Sequence, residues 1–191
     1  ISEKNWFFFA FLIYSVVAWF SVGHYHDDEY YQILDFAAYK LGFEMQNTVM
    51  WEYKEGVRSG LQPFIAYVVA KVLTFIDVTS PFIWAFYLRL ISLIISFISV
   101  FAFFQIIKRD IKTDRTQVWV LFFLLFSWIL AFLNVRFSSE GWATSLFILA
   151  YALYFFQAPK KTKKYFFIGM LLGFAFLSRY QIGFFILGFG F

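Results

Sequence analysis

Residues 82–107 read FIWAFYLRLISLIISFISVFAFFQII, an apolar run with a single charge, Arg89. A helix needs about 20 such residues to cross the hydrocarbon core of a bilayer. This run has length to spare. Further apolar runs occur at 6–22, 62–76, 118–133, 142–156 and 165–177, and another begins at Ile182. Hydrophobic residues make up 62% of the chain, and phenylalanine alone supplies 31 of 191 positions. A soluble domain of this length cannot cover that much apolar surface, so the solvent for most of it is lipid. The expected fold is therefore an all-α polytopic membrane protein. Cysteine is absent, which excludes disulfides and thiolate metal sites.

The run at 6–22 lacks a small-residue cleavage pattern and reads as a retained helix, not a signal peptide. The sequence starts at Ile1 without a methionine and stops at Phe191 inside an apolar run. That pattern is expected of the N-terminal portion of a larger membrane protein, with 1–191 forming part of one transmembrane domain.

Charge placement orients the runs. KRDIKTDR (108–115) and KKTKK (160–164) hold eight of the 16 Lys and Arg, and short basic loops stay cytoplasmic. The 62–76 run is short and carries Lys71 in its middle. If it crossed the membrane, both basic loops would fall opposite the N-terminus. If it lies on the surface as an amphipathic helix, the N-terminus and both basic loops share the inner side. The stretch from about 24 to 81 is then one large external loop, with eight acids and four basic residues.

The densest ionisable stretch, HYHDDEYYQ (24–32), abuts the end of the first apolar run. Other charges are expected at the same external face. Arg89 lies about two turns into its helix, roughly 10 Å deep; Arg136 and Glu140 lie in NVRFSSEG, and Arg179 in FLSRYQ. Charges at membrane depth are costly and by default mark a functional site. Plainer roles exist. Asp27 or Asp28 can cap the following helix, though a cap needs only one acid, and an arginine can snorkel to headgroups. His24, His26 and Asp28 alternate and would share one face of an extended chain. That set suits zinc or manganese, but H-x-H-x-D is a weak signal and no metal or other cofactor is expected. The sharper reading is a site where carboxylate meets phosphate. One carboxylate takes a proton from a hydroxyl nucleophile, while guanidinium groups stabilise a phosphate leaving group.

HDDEYYQILDFA resembles the first-loop motif H-P-D-E-x-(F/W)-Q, followed by Leu-Glu, of the GT-C superfamily glycosyltransferases, within them the Alg9-like mannosyltransferases of N-glycan and GPI-anchor assembly. Asp27 stands where the family has proline, and Leu34-Asp35 falls on the pair. TVMWEYKEGVRSGLQP is similar to T-W-E-(W/Y) then I-R-S-x-L-x-P. YLRL (87–90) resembles P-R-L, RFSSEGWAT (136–144) loosely resembles R-T-x-S-N-S-x-E-T, and FLSRYQ resembles F-L-x-R-P. The blocks occur in family order.

The resemblance implies a GT-C-type transmembrane helix bundle with surface helices in its external first loop. It implies a catalytic acid at Asp28 with Glu29 beside it, and substrate contacts from His26, Gln32, Trp51, Glu52, Arg58, Ser59, Arg89, Arg136, Glu140 and Arg179. The implied reaction moves a sugar, mannose first among candidates, from a polyprenyl- or dolichyl-phosphate donor to a hydroxyl of a glycan or glycolipid acceptor, with inversion. Membrane lipids are expected partners and nucleic acid is not. The site would face the external or lumenal side of a multi-pass protein, in a bacterial inner membrane or a eukaryotic ER membrane. Alternatives are a GT-C transferase with a protein or lipid A acceptor, and a non-enzymatic transporter of lipid-linked substrates. A transporter would line both halves of the membrane with ionisable groups.

Overall fold

In the computed structural model the described residues are 3–21, 33–42, 55–57, 59–156 and 161–190. They are helical or irregular, without strands, as the sequence predicts. The elements are α1 (Glu3–Phe20), α2 (Asp35–Lys40), α3 (Leu61–Phe75), α4 (Pro81–Asp110), α5 (Asp114–Phe126), α6 (Trp128–Leu133), α7 (Ser139–Phe155), α8 (Lys161–Ser178), a 3₁₀ turn at Tyr180–Ile182, and α9 (Gly183–Gly190).

The long apolar run becomes α4, 30 residues with Pro81 in its first turn and Lys108 and Arg109 in its last. Proline at a helix start sacrifices no intrahelical bond, and cations favour the C-terminal end of the helix dipole. Among the described residues, α4 is the one helix long and apolar enough to cross a membrane. The 62–76 run forms the shorter helix α3. The 118–133 run is not continuous: Ser127 is extended, with φ −63° and ψ 123°, and separates α5 from α6.

Two contacts fix α1 antiparallel to α4. Glu3 forms an ion pair with Lys108, and at the other end the Arg89 Nη1 donates to the Ala18 carbonyl at 3.5 Å. Between them Ala10, Tyr14 and Ala18, one helical turn apart, are buried against Leu93 and Phe104 of α4 and Leu121 and Leu125 of α5. Tyr14 meets Phe97 edge to face at 4.9 Å, and Phe7 meets Phe101 at 5.4 Å. Such pairs add about 0.5–1.5 kcal/mol each beyond their buried area.

Helix α7 runs parallel to α4 along a seam of small residues. The Trp142 indole Nε1 donates to Ser92 Oγ at 2.8 Å, and Ser96 and Ser145 hydroxyls lie 3.3 Å apart. Serines at 92, 96 and 99 present little bulk, so the two backbones approach closely, and the hydroxyls of Ser92 and Ser96 stay bonded. The C-terminal carbonyls of α7 are met by cations: Arg109 Nη1 donates to Phe155 O at 3.2 Å, and Lys164 Nζ to Tyr154 O at 2.6 Å and Phe156 O at 2.8 Å. A helix leaves these carbonyls without internal partners, so the basic residues close them. Helix α8 packs along α7 and returns the chain to the opposite end.

The bundle thus has two chemically distinct ends. One gathers Glu3, Lys108, Arg109 and Lys164. The other gathers the C-terminus of α1, the first turns of α4, the junction of α6 with α7, and the C-terminus of α8. Helices α2 and α3 sit at this second end, where Ile33, Ala37 and Ala66 pack with Leu88, Phe137 and Trp142.

Candidate functional site

His26, Asp28, Glu29, Gln32, Trp51, Glu52 and Arg58 lie outside the described residues, as do His24 and Asp27. Ser59, Arg89, Arg136, Glu140 and Arg179 lie within them, and the four charged residues share the second end of the bundle.

Arg136 stands in the turn between α6 and α7. Val135 and Phe137, its neighbours, are buried and hold the turn in place, and Arg136 is itself only 5% exposed. Its guanidinium carbon lies 4.6 Å from the centre of the Phe132 ring, a cation–π contact that keeps the charge in place without neutralising it. Ser138 then caps α7, its hydroxyl accepting from the Gly141 N–H at 3.2 Å. That cap supplies the hydrogen bond that the first turn of a helix lacks. Gly141 suits the close approach here: a Cβ would come within 3.1 Å of Ser138 Oγ and press on the capping hydroxyl.

The cap projects Glu140 from the first turn of α7, where it forms an ion pair with Arg179, the residue following α8. Arg179 Nη1 also donates to Ser139 Oγ at 3.3 Å. Two sequence blocks 39 positions apart are thereby joined. Arg89, 9% exposed, sits on α4 one residue from Leu88, which packs against Phe137 beside Arg136. Packing therefore carries Arg89 and Arg136 to the same neighbourhood. Ser59 is engaged locally, its hydroxyl accepting from the Leu61 N–H at 3.2 Å at the start of α3.

Two cavities open beside this cluster. One, of about 470 Å³, lies between α4, α6 and α7, with Glu140 and Ser138 on its wall and Ser96, Ser99 and Ser145 along it. Its apolar lining with a charged residue suits an amphipathic chain with a polar head. The other, of about 270 Å³, lies between α2, α3 and the start of α4 and is lined by Asp35 and Trp84. Asp35 is 6% exposed, and burial raises its carboxyl above the usual aspartate range.

Asp35 was not among the expected site residues, although Leu34-Asp35 falls on the Leu-Glu pair of the motif that HDDEYYQILDFA resembles. A signal was present nonetheless. In ILDFAA it stands alone between apolar neighbours, a context that buries a carboxylate, whereas the runs of acids upstream do not. No group of three metal-ligating residues occurs among the described residues.

The arrangement offers buried or partly buried guanidinium groups at one end of an apolar bundle, a carboxylate already holding one of them, and cavities that admit apolar and polar ligands together. Guanidinium forks match phosphate oxygens and strengthen as water is excluded. No curated protein and no solved structure matches the chain. A family profile does, across residues 6–191, which include every block of the motif series above. The chain belongs to the Alg9-like mannosyltransferase family and is a glycosyltransferase.

Proposed function

We propose that the chain is the N-terminal part of a multi-pass membrane enzyme that transfers mannose from a polyprenyl- or dolichyl-phosphate donor to a hydroxyl of a glycan or lipid-linked acceptor, with inversion. The supporting observation is the collection of Arg89, Arg136, Glu140 and Arg179 at the end of the bundle opposite Lys108, Arg109 and Lys164. A lipid-linked phosphate would lie at that depth with its tail along the apolar helices.

In the proposed step the Asp28 carboxylate accepts the acceptor's hydroxyl proton. The oxygen forms its bond to the anomeric carbon as the bond from that carbon to the phosphate oxygen breaks. The electron pair leaves on the lipid phosphate, whose charge the arginines stabilise, so the leaving group needs no proton. One displacement inverts the anomeric carbon. Glu29 stands beside the base and helps to position the acceptor.

The reaction is tested with full-length protein, a polyprenyl-phosphate mannose donor and a mannosylated acceptor. Asp28→Asn is expected to lower turnover by about 10²–10⁴-fold while donor binding persists. Full turnover by Asp28→Asn would remove Asp28 from the chemistry. The orientation is tested separately, since the chain has no cysteine of its own. Gly60→Cys and Val78→Cys are expected to react with an impermeant thiol reagent from outside, and Lys112→Cys and Thr162→Cys only after permeabilisation. Labelling of 60 and 78 from opposite sides would mean that α3 crosses the membrane and that the proposed external loop does not exist.

A further inference from the structure

The cavity of about 270 Å³ at the second end of the bundle contains a polar group that the proposed transfer step does not use. Asp35 lines it together with Trp84, five alanines (Ala37, Ala38, Ala66, Ala70, Ala85) and apolar neighbours. Although 94% of Asp35 is hidden, its carboxylate has neither a hydrogen bond nor an ion pair among the described residues. A carboxyl in such apolar surroundings, with no protein partner among the described residues and only limited access to water, is less favourable than a well-packed apolar residue at the same place. One turn before Ala66, on the same face of α3, Gln62 is 3% exposed and its Nε2 likewise finds no acceptor. Asp35 thus lines the cavity without a partner among the described residues, and Gln62, one turn from the lining residue Ala66 but outside the lining itself, carries an unsatisfied donor.

The lining restricts what fills it. A carboxylate only accepts hydrogen bonds and has sites for several donors. The Trp84 indole is fixed by its Nε1 donating to Val78 O at 2.8 Å, so its ring is a stable apolar surface with its donor already used. The alanine methyls add apolar surface of low relief. A cation would have to shed its full hydration for a single carboxylate. No group of metal ligands accompanies Asp35 among the described residues. The volume falls just below the usual range for drug-sized ligands, which suits one ring and not a chain. A sugar ring combines adjacent hydroxyl donors on its edge with an apolar C–H face.

We propose that this cavity is a subsite for a single hexopyranose ring, with ring hydroxyls donating to the Asp35 carboxylate and the C–H face against Trp84 and the alanines. The proposal rests on the glycosyltransferase reading above, and the ring belongs either to the acceptor or to the donor sugar. In either case Asp35 binds and orients it, and the proton transfer stays with Asp28.

The test uses full-length protein and two readouts. Steady-state kinetics are measured for Asp35→Ala, Asp35→Asn and Ala38→Leu, the last narrowing the cavity from a partly exposed position. Variants whose melting temperature stays near wild type are compared. Loss of a charge-assisted hydrogen bond predicts a rise of about 10- to 100-fold in KM for one substrate. A rise for the acceptor alone assigns the ring to the acceptor, and a rise for the donor alone assigns it to the donor. In the second readout, millimolar methyl α-D-mannopyranoside is expected to raise the melting temperature of wild type and not of Asp35→Ala. Unchanged KM for both substrates in folded, active variants overturns the subsite. If wild type transfers no sugar, the transferase reading fails and the thermal shift alone decides, its absence overturning the subsite as well.

Discussion

Replacing Arg179 by lysine separates a structural role of the Glu140–Arg179 pair from a chemical one. The Arg179 side chain is 23% exposed and that of Glu140 50%, so water screens the pair and its contribution to stability is about 0–1 kcal/mol. Lysine keeps the charge and can still meet Glu140. It loses the planar fork that engages two oxygens of a phosphate at once. A hydrogen bond to a charged group is worth about 1.5–3 kcal/mol, and each 1.4 kcal/mol is tenfold. Arg179→Lys should therefore lower donor kcat/KM by roughly 10- to 100-fold while unfolding free energy moves by less than about 1 kcal/mol. Glu140→Gln supplies the complementary measurement. It removes the Glu140 charge from the Arg179 guanidinium, so donor KM should fall if the carboxylate competes with the phosphate for it. The assay is donor-dependent transfer by full-length protein in detergent or liposomes, with unfolding followed in parallel. A change in kcat/KM of less than about threefold, or one that tracks lost stability across both variants, would make the pair a strut between α7 and α8 and nothing more.

The indole–hydroxyl contact between Trp142 and Ser92 should be visible in a double-mutant cycle. Ser92→Ala and Trp142→Phe are expected to couple by about 0.6 kcal/mol, and at most about 1.7; zero coupling in unfolding from mixed micelles would mean that α4 and α7 do not meet at this register. Asp35 predicts a pH dependence with a definite sign. Its folded pKa is raised, so the native state holds more protons than the unfolded chain from about pH 4 upward, and stability is lost as pH rises through the folded value. Melting temperatures across this range should fall with pH more steeply for wild type than for Asp35→Asn, which should be the more stable near neutrality. Equal slopes would place the carboxyl in water, and the opposite difference would mean that a cation or hydrogen-bond donors hold it ionised.

Much of this architecture is written in local sequence. The length of the 82–107 run alone specifies α4, because an uninterrupted apolar stretch has no turn chemistry to stop it, and the basic clusters at 108–115 and 160–164 mark one end. The four charged residues expected to converge were legible for a related reason: each interrupts or borders an apolar run, where charge is expensive. What sequence could not convey is pairing. Nothing in RFSSEG indicates that Glu140 is held by Arg179, because the contact depends on α7 and α8 packing side by side. The break at Ser127 was equally hidden, since LFSWIL contains no proline or glycine and reads as continuous helix. Helix ends shifted by several residues wherever caps or cations extended them, as at Ser138 and Lys164.

The ion pair to Glu3 and the contact to Ala18 also act as a ruler. They tie Lys108 and Arg89 to opposite ends of α1, and 19 residues of α4 separate them, which is about 28 Å at 1.5 Å per residue. The hydrocarbon slab of a bilayer is roughly 30 Å thick. In the proposed multi-pass setting the two cations would bracket one membrane thickness, with Lys108 at one headgroup layer and Arg89 at the other. Residues Pro81 to Leu88 would be left over, about 12 Å of helix standing above the lipid. Arg89 would then mark the waterline instead of sitting deep in hydrocarbon. The two turns above it, bearing Trp84, would form a post beside α2 and α3, and the Asp35 cavity would open into the headgroup layer.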